Sequence, residues 1–324
     1  MKTLQVDELG SLDALHLVEL PDAPLADGHI RIDIRACGLN FVDSLMIEGR
    51  YQIKPPVPFR PGSEVAAVVT EVASDVTSVT VGDRVFVPIG VGGFSDTAVV
   101  AASRALRIPD NMTDGQAATF MQSYLTAWFA FHNRADIREG DTMLVLGAGG
   151  GIGLAAVDLG VAMGARVIAA ASSDEKRQLA MDAGAFATID VLTEDVKLRA
   201  RELADGKLDL VYDPVGGDLA EQALRALAPG GQFMVVGFVA GIPKLPANLV
   251  LLTNRTLIGV DWGAWVMKNQ AAHGKMIVDV LSEIGKGTLR PVEPVSYPMS
   301  QAAQALRDMQ NRKIAGKVAL VPDF

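Results

Sequence analysis

One cysteine, Cys37, stands in 324 residues, which excludes an intramolecular disulfide and any cysteine-built structural zinc site. The four histidines (His16, His29, His132, His273) are scattered; no metal-ligand spacing links them, and each reads as a surface or structural residue. Basic side chains are outnumbered 29 to 38, for a net charge of −9. A phosphate backbone demands the opposite balance, so nucleic acid is excluded as a partner and the charge reads as solubility. The longest uncharged stretch, 226–243, is broken by Pro229, Gly230, Gly231, Gln232, Gly237 and Gly241 and cannot span a membrane. The opening Met-Lys-Thr-Leu-Gln-Val-Asp-Glu reads as an edge strand without an apolar export segment, so a cytoplasmic location is expected. There is no internal repeat and no low-complexity segment. What is present is 49% hydrophobic residues against 21% charged, enough for well-filled cores in two domains.

The most informative run is Thr142-Met143-Leu144-Val145-Leu146-Gly147-Ala148-Gly149-Gly150-Gly151-Ile152-Gly153. It is an apolar strand flowing into a glycine turn, followed by an amphipathic stretch to Met163 and a second apolar strand at 166–171. This is the opening strand–turn–helix–strand of a dinucleotide-binding domain. The glycines let the chain turn tightly and let backbone N–H groups approach a pyrophosphate, while the helix start directs its positive end at that anion.

From Thr142 onward, strands are predicted at 142–146, 166–171, 186–190, 208–212, 232–236 and 256–260. Helices are predicted at 152–163, 174–183, 193–204 and 219–227. Gly184 is placed to end the second helix, and Ser172 or Ser173 to cap its start. The alternation predicts an α/β fold with one doubly wound, parallel, six-stranded Rossmann sheet. Before about residue 118 the texture is mostly antiparallel β, with strands at 29–35, 64–72, 84–87 and 96–101 between Gly, Pro and Asp turns. After about 261 come helices near 267–285 and 299–311 and a strand at 317–321. This tail is expected to return to the first domain and leave a cleft between the two. The expected domains are therefore 1–118, completed by 261–324, and 119–260.

The tip of the second strand of the nucleotide domain decides the cofactor. An NAD site usually carries an acid there for the ribose 2′-hydroxyl, but the tip is Ala170-Ala171-Ser172-Ser173. Lys176 and Arg177 follow, either neutralising a 2′-phosphate or forming a solvated helix face. NADPH is the expected cofactor.

Three segments, Cys37-Gly38-Leu39-Asn40-Phe41-Val42-Asp43, Glu48-Gly49-Arg50-Tyr51 and Pro58-Phe59-Arg60-Pro61-Gly62-Ser63-Glu64, carry a family resemblance. With Val81-Gly82-Asp83-Arg84-Val85, the glycine turn, Tyr212-Asp213-Pro214-Val215-Gly216-Gly217 and Gly316-Lys317-Val318, the chain resembles the zinc-free quinone oxidoreductases. These belong to the medium-chain dehydrogenase/reductase superfamily. The resemblance implies a GroES-like catalytic domain built from both termini around the nucleotide-binding domain, and a homodimer or homotetramer joined through the latter. It implies that Gly150, Gly151, Ile152 and Gly153 form the pyrophosphate turn and that Ser172, Ser173 and Lys176 contact the 2′-phosphate. Thr126, Gly237, Phe238 and Val239 are implied as neighbours of the nicotinamide, with Asn40 and Tyr51 as walls of the substrate pocket. Two departures stand out: Val191 where some relatives carry a stacking tyrosine, and Pro214 where many carry a serine.

Zinc-bearing relatives place Cys where Asn40 stands and His where Ser63 stands, so no catalytic metal is expected. Without a Lewis acid to stabilise an alkoxide, the expected reaction is hydride donation from NADPH to an electron-poor acceptor, a quinone first of all. A reductase of conjugated carbon–carbon double bonds, in enones or enoyl thioesters, is the alternative; so is a non-catalytic NADPH-binding structural protein, as in the lens crystallins of this family. Tyr51 is read either as a proton donor, with a reference pKa of about 10, or as a lid packing its ring on the core. Asn40 either orients the nicotinamide, donates to the substrate oxygen or caps the adjacent turn, and Asp43 caps or orients backbone. Trp262 and Trp265 either line an aromatic slot or pack a seam.

Overall fold

The computed structural model describes residues 1–324, which divide into two compact units. Met1–Met121 and Glu293–Phe324 form one, and Gln122–Val292 form the other. The first division falls within the helix Asp114–Phe129. The second leaves residues 261–292, assigned from sequence to the first domain, in the nucleotide unit. Their contacts explain it: the Arg290 N–H donates to Asp158 at 2.8 Å, and Trp265 packs on Phe129 with ring centroids 5.1 Å apart.

The unit Gln122–Val292 is built on six parallel strands. In spatial order they are Ala187–Asp190, Arg166–Ala171, Thr142–Leu146, Leu210–Asp213, Gln232–Val235 and Thr256–Gly259. Thr142–Leu146 and Leu210–Asp213 are buried at every residue. A strand covered on both faces carries a continuous apolar run rather than an alternating one, which is why the sequence announces these so clearly. The helix Gly151–Ala162 lies close on the sheet because Gly160 has no side chain; a Cβ there would sit 2.4 Å from Met143 Cε.

Helix boundaries follow local hydrogen bonding. Gly184, at φ +104°, ends the helix Asp174–Asp182, with Ala185 N–H bonded to Ala180 O. The next helix starts at Val196 rather than 193, because Asp190 and Glu194 close a turn of their own: Asp190 N–H donates to Glu194 Oε2 at 2.7 Å. Asp195 then caps the helix through Leu198 N–H. The tail helix predicted at 267–285 is two helices, Trp262–Lys268 and Gln270–Gly285, broken at Asn269.

The other unit holds a seven-stranded sheet in the order Val295–Pro298, Val318–Val321, His29–Leu39, Val65–Val72, Arg84–Val87 and Leu106–Arg107. Thr97–Ala101 also pairs with His29–Leu39. Ile30, Ile32 and Ile34 point inward as their alternation requires. Register shifts beside Arg31/Ile32 and Ile34/Ala36 then bend the strand, and Ala36, Cys37, Gly38 and Leu39 are all buried. The C-terminal strand runs antiparallel to this buried end, with Val318 opposite Leu39 and Ala319 opposite Gly38. One residue beyond that pairing, Lys317 comes to face Asn40.

Candidate functional site

In the nucleotide unit, Gly147 takes φ +60° and Gly150 is the extended N-cap of the helix Gly151–Ala162. A Cβ on Gly153 would lie 2.3 Å from Gly147 O and 2.7 Å from Ala148 Cα. The helix therefore starts in contact with the strand-to-helix turn, and only glycine fits. At Gly150 the nearest atom to an added Cβ would be Gly147 O at 3.5 Å, so the N-cap presents bare, uncrowded backbone. Bare backbone at the positive end of a twelve-residue helix is a cradle for a pyrophosphate. Gly150, Gly151, Ile152 and Gly153 are together here, at the N-cap and first turn.

Lys176 lies over this turn: an added Cβ on Gly149 would be 2.2 Å from Lys176 Cβ. Ser173 caps the helix Asp174–Asp182 through Lys176 N–H at 3.3 Å, and Ser172 precedes it, half-buried. The second-strand tip and the glycine turn thus form one surface. Arg177 is engaged otherwise. Its guanidinium is paired with Asp174 and, at 3.2 Å, with Asp190, so the 2′-phosphate reading rests on Ser172, Ser173 and Lys176.

A second edge of this unit is formed by two turns laid together. Asp213 Oδ1 accepts from the N–H groups of Val215 and Gly216, both at 2.8 Å. Gly217 N–H donates to Gly241 O, and Ala240 N–H to Val215 O. Gly237 passes over Pro214, where a Cβ would come 3.1 Å from the Pro214 carbonyl oxygen. Phe238 and Val239 are left more than half exposed, 53% and 54%. Apolar side chains held out on a braced loop are available to a flat ligand. Burial pushes the Asp213 carboxyl up from its ordinary range, and its Oδ2 is buried without a hydrogen-bond partner. Thr126, buried in the helix Asp114–Phe129, donates its hydroxyl to Gln122 O at 2.6 Å. Trp262 and Trp265 pack within this unit, Trp262 against His273 and Trp265 against Phe129.

In the sheet unit, Asn40 is the N-cap of the helix Phe41–Ile47, so the capping role foreseen for it and for Asp43 is present. Asn40 N–H donates to Asp43 Oδ2 at 2.8 Å. The Asn40 side chain does more. Its Nδ2 donates to Glu64 Oε1 at 2.8 Å, and its Oδ1 accepts from Lys317 Nζ at 2.5 Å. Asn40, Asp43 and Glu64 are all buried and Lys317 half-buried. Burial pushes the Asp43 carboxyl up to about 7. It pulls the Lys317 ammonium down, against the attraction of Glu64 and Asp43, and raises the Cys37 thiol well above its ordinary value. Tyr51 lies on the turn after the helix, its N–H bonded to Leu45 O and its ring half-buried. No group of three or more His, Cys, Asp or Glu side chains is placed to hold a metal ion. Glu64 and Lys317 join the candidates through these bonds to Asn40; each lies within a motif of the resemblance.

Comparison with known proteins agrees with this division. The family described as alcohol dehydrogenase GroES-like domain matches residues 26–110, and that described as zinc-binding dehydrogenase matches 151–276. The quinone oxidoreductase-like protein 2 of Rattus norvegicus is 36% identical over 94% of this chain and 88% of its own. The quinone oxidoreductase of Pseudomonas aeruginosa is 32% identical over 99% of each chain. Among solved structures, the quinone oxidoreductase of Thermus thermophilus, known also as a complex with NADPH, superposes with a TM-score of 0.82. It is 33% identical, over 99% of this chain and 100% of that one.

Proposed function

The chain belongs to the zinc-free quinone oxidoreductase family of the medium-chain dehydrogenase/reductase superfamily, and from that premise we propose that it reduces a quinone with NADPH, without a metal ion. The observation that carries the reading is the bare, helix-capping glycine turn with Lys176 lying over it from a helix that Ser173 caps. It suits a dinucleotide bearing a 2′-phosphate, the cofactor of the Thermus relative. No helix is long and apolar enough to cross a membrane.

Bound NADPH supplies the hydride. The chain's own residues do the rest. Gly150, Gly151, Ile152 and Gly153 hold the pyrophosphate by backbone N–H groups and the helix dipole. Ser172, Ser173 and Lys176 hold the 2′-phosphate. Thr126, Gly237, Phe238 and Val239 flank the nicotinamide, with the exposed Phe238 and Val239 shielding it from water. Asn40 donates an amide N–H to the acceptor oxygen as negative charge develops there, and Tyr51 walls the acceptor. The donor set around Asn40 supports metal independence: its amide oxygen already accepts from an ammonium, and Ser63 stands where zinc-bearing relatives carry His.

The deciding assay is NADPH oxidation with 1,4-benzoquinone, a naphthoquinone and an enone, with and without chelator. Turnover of quinones that survives the chelator is expected; binding of NADPH without turnover of any acceptor would leave only the structural role. Lys176→Ala is expected to lower the preference for NADPH over NADH by roughly 10-fold or more, as loss of one charge-assisted phosphate contact requires, read as the ratio of kcat/KM for the two nucleotides. An unchanged ratio removes Lys176 from the phosphate site. Tyr51→Phe separates the acceptor classes. Quinone reduction is expected to persist, whereas a fall of roughly 10²-fold in enone reduction would make Tyr51 a general acid and favour the double-bond reductase.

A further inference from the structure

A carboxamide can be turned end for end at almost no cost in shape, and the two orientations present opposite chemistry to a ligand. At Asn40 the orientation is bracketed from both sides. Lys317 carries an ammonium, which only donates, and it meets Oδ1 at 2.5 Å. Glu64 carries a carboxylate, which only accepts when ionised, and it meets Nδ2 at 2.8 Å. The reversed amide would set an NH₂ against the ammonium and a carbonyl against the carboxylate, two repulsive contacts where there were two bonds. One orientation satisfies the bracket, and in it Nδ2 keeps a second hydrogen not used by Glu64.

We propose that Lys317 and Glu64 are positioning residues that lock the Asn40 carboxamide so that its second N–H faces the acceptor oxygen. The proposal rests on the reading of Asn40 as the donor to a quinone oxygen. The fold goes to some length to build this bracket. The register of Val318 opposite Leu39 delivers Lys317 to Asn40 from 277 residues away. Asp43 holds the Asn40 backbone N–H, so the Cα from which the amide projects is fixed too. Gly38 makes room for Glu64: a Cβ there would come 2.9 Å from Glu64 Cγ and 3.0 Å from its Oε1. Burying an ammonium with carboxylates is a poor way to gain stability, because desolvation offsets the attraction and apolar side chains of the same volume pack as well. Fixing one amide orientation is something that apolar side chains cannot do.

The test is a double-mutant cycle on kcat for quinone reduction, with NADPH affinity measured separately by cofactor fluorescence. Asn40→Ala is expected to lower kcat by roughly 10²-fold, the effect of removing one preorganised donor. Lys317→Met is expected to lower kcat by roughly 10-fold with the NADPH Kd unchanged, and to have no further effect in the Asn40→Ala background. Lys317→Arg, still a pure donor, is expected to recover kcat to within about threefold of the wild type. Effects that multiply in the double variant would overturn the bracket, as would a Lys317→Met variant with raised NADPH Kd and intact kcat. Should Lys317→Met not fold, Glu64→Gln runs the same cycle, since a glutamine amide accepts or donates and no longer dictates the orientation. Its effect on kcat must likewise vanish without Asn40. An Asn40→Ala enzyme with wild-type kcat ends the donor reading itself and the bracket with it, whereas independent effects at Asn40 and Lys317 leave the donor reading standing and remove only the bracket.

Discussion

Gly153→Val is expected to weaken NADPH binding by roughly 10²-fold and to cost about 3 kcal/mol of stability, the upper end of what overpacking costs. The obstruction is backbone on both sides. Even a single added carbon would lie 2.3 Å from Gly147 O and 2.7 Å from Ala148 Cα, and neither atom can swing aside as a side-chain end can. The helix Gly151–Ala162 would have to back away from the turn, taking its N-terminal N–H groups out of reach of a pyrophosphate. Gly150→Ala is the companion experiment, because Gly150 has extended dihedrals that any residue adopts and 3.5 Å of clearance to Gly147 O. It should keep the wild-type unfolding midpoint while losing roughly 10-fold in NADPH affinity, by interposing a methyl group between the N-cap and the phosphate. Isothermal titration and thermal unfolding on both variants separate helix packing from phosphate approach. If Gly150→Ala binds NADPH as the wild type does, the phosphates do not lie against that N-cap.

The nucleotide unit was legible because parallel strands buried on both faces cannot hide: Thr142–Leu146 and Arg166–Ala171 are short apolar runs closed by glycine and serine turns. The helix Asp114–Phe129 escaped the same kind of reading. From Ala117 to Phe129 it is buried nearly all round, so no polar face imposes a helical period on the sequence. The helical pattern of the tail runs on through Asn269, where the structure breaks it, because the break involves neither Gly nor Pro.

At the candidate sites, local sequence pattern found what is local. The glycine turn, the serine cap and the capping box of Asn40 and Asp43 are each contained in a few consecutive residues. The engagement of Arg177 is invisible in its own helix, because its partner Asp190 belongs to the next strand. The ties of Asn40 to Glu64 and Lys317 depend on strand register, which no window of sequence contains. The one clue was a lysine standing immediately before the apolar Val-Ala-Leu-Val of the last strand, too close to a core to be an ordinary surface cation.

Asp43 gives the second large effect, on stability against pH. Its carboxyl is 3% exposed, and burial, outweighing the bond from Asn40 N–H, pushes its pKa up to about 7 from 3.8. The folded state therefore holds a proton that the unfolded chain has released, throughout the window between those values. Stability from this group is present in full below about pH 4, declines as pH rises, and is gone above about pH 7, a difference on the order of 4 kcal/mol. Asp43→Asn removes the titration but keeps an oxygen for the Asn40 N–H. Urea unfolding of both proteins from about pH 4 to pH 8 should show the variant gaining on the wild type by up to that amount. The gain follows pH in one direction only, because Asp43 is ionised in both states above the window and protonated in both below it. A difference that stays level across the window would mean that Asp43 is ionised throughout, with the Lys317 ammonium and the Asn40 N–H together outweighing the cost of burial.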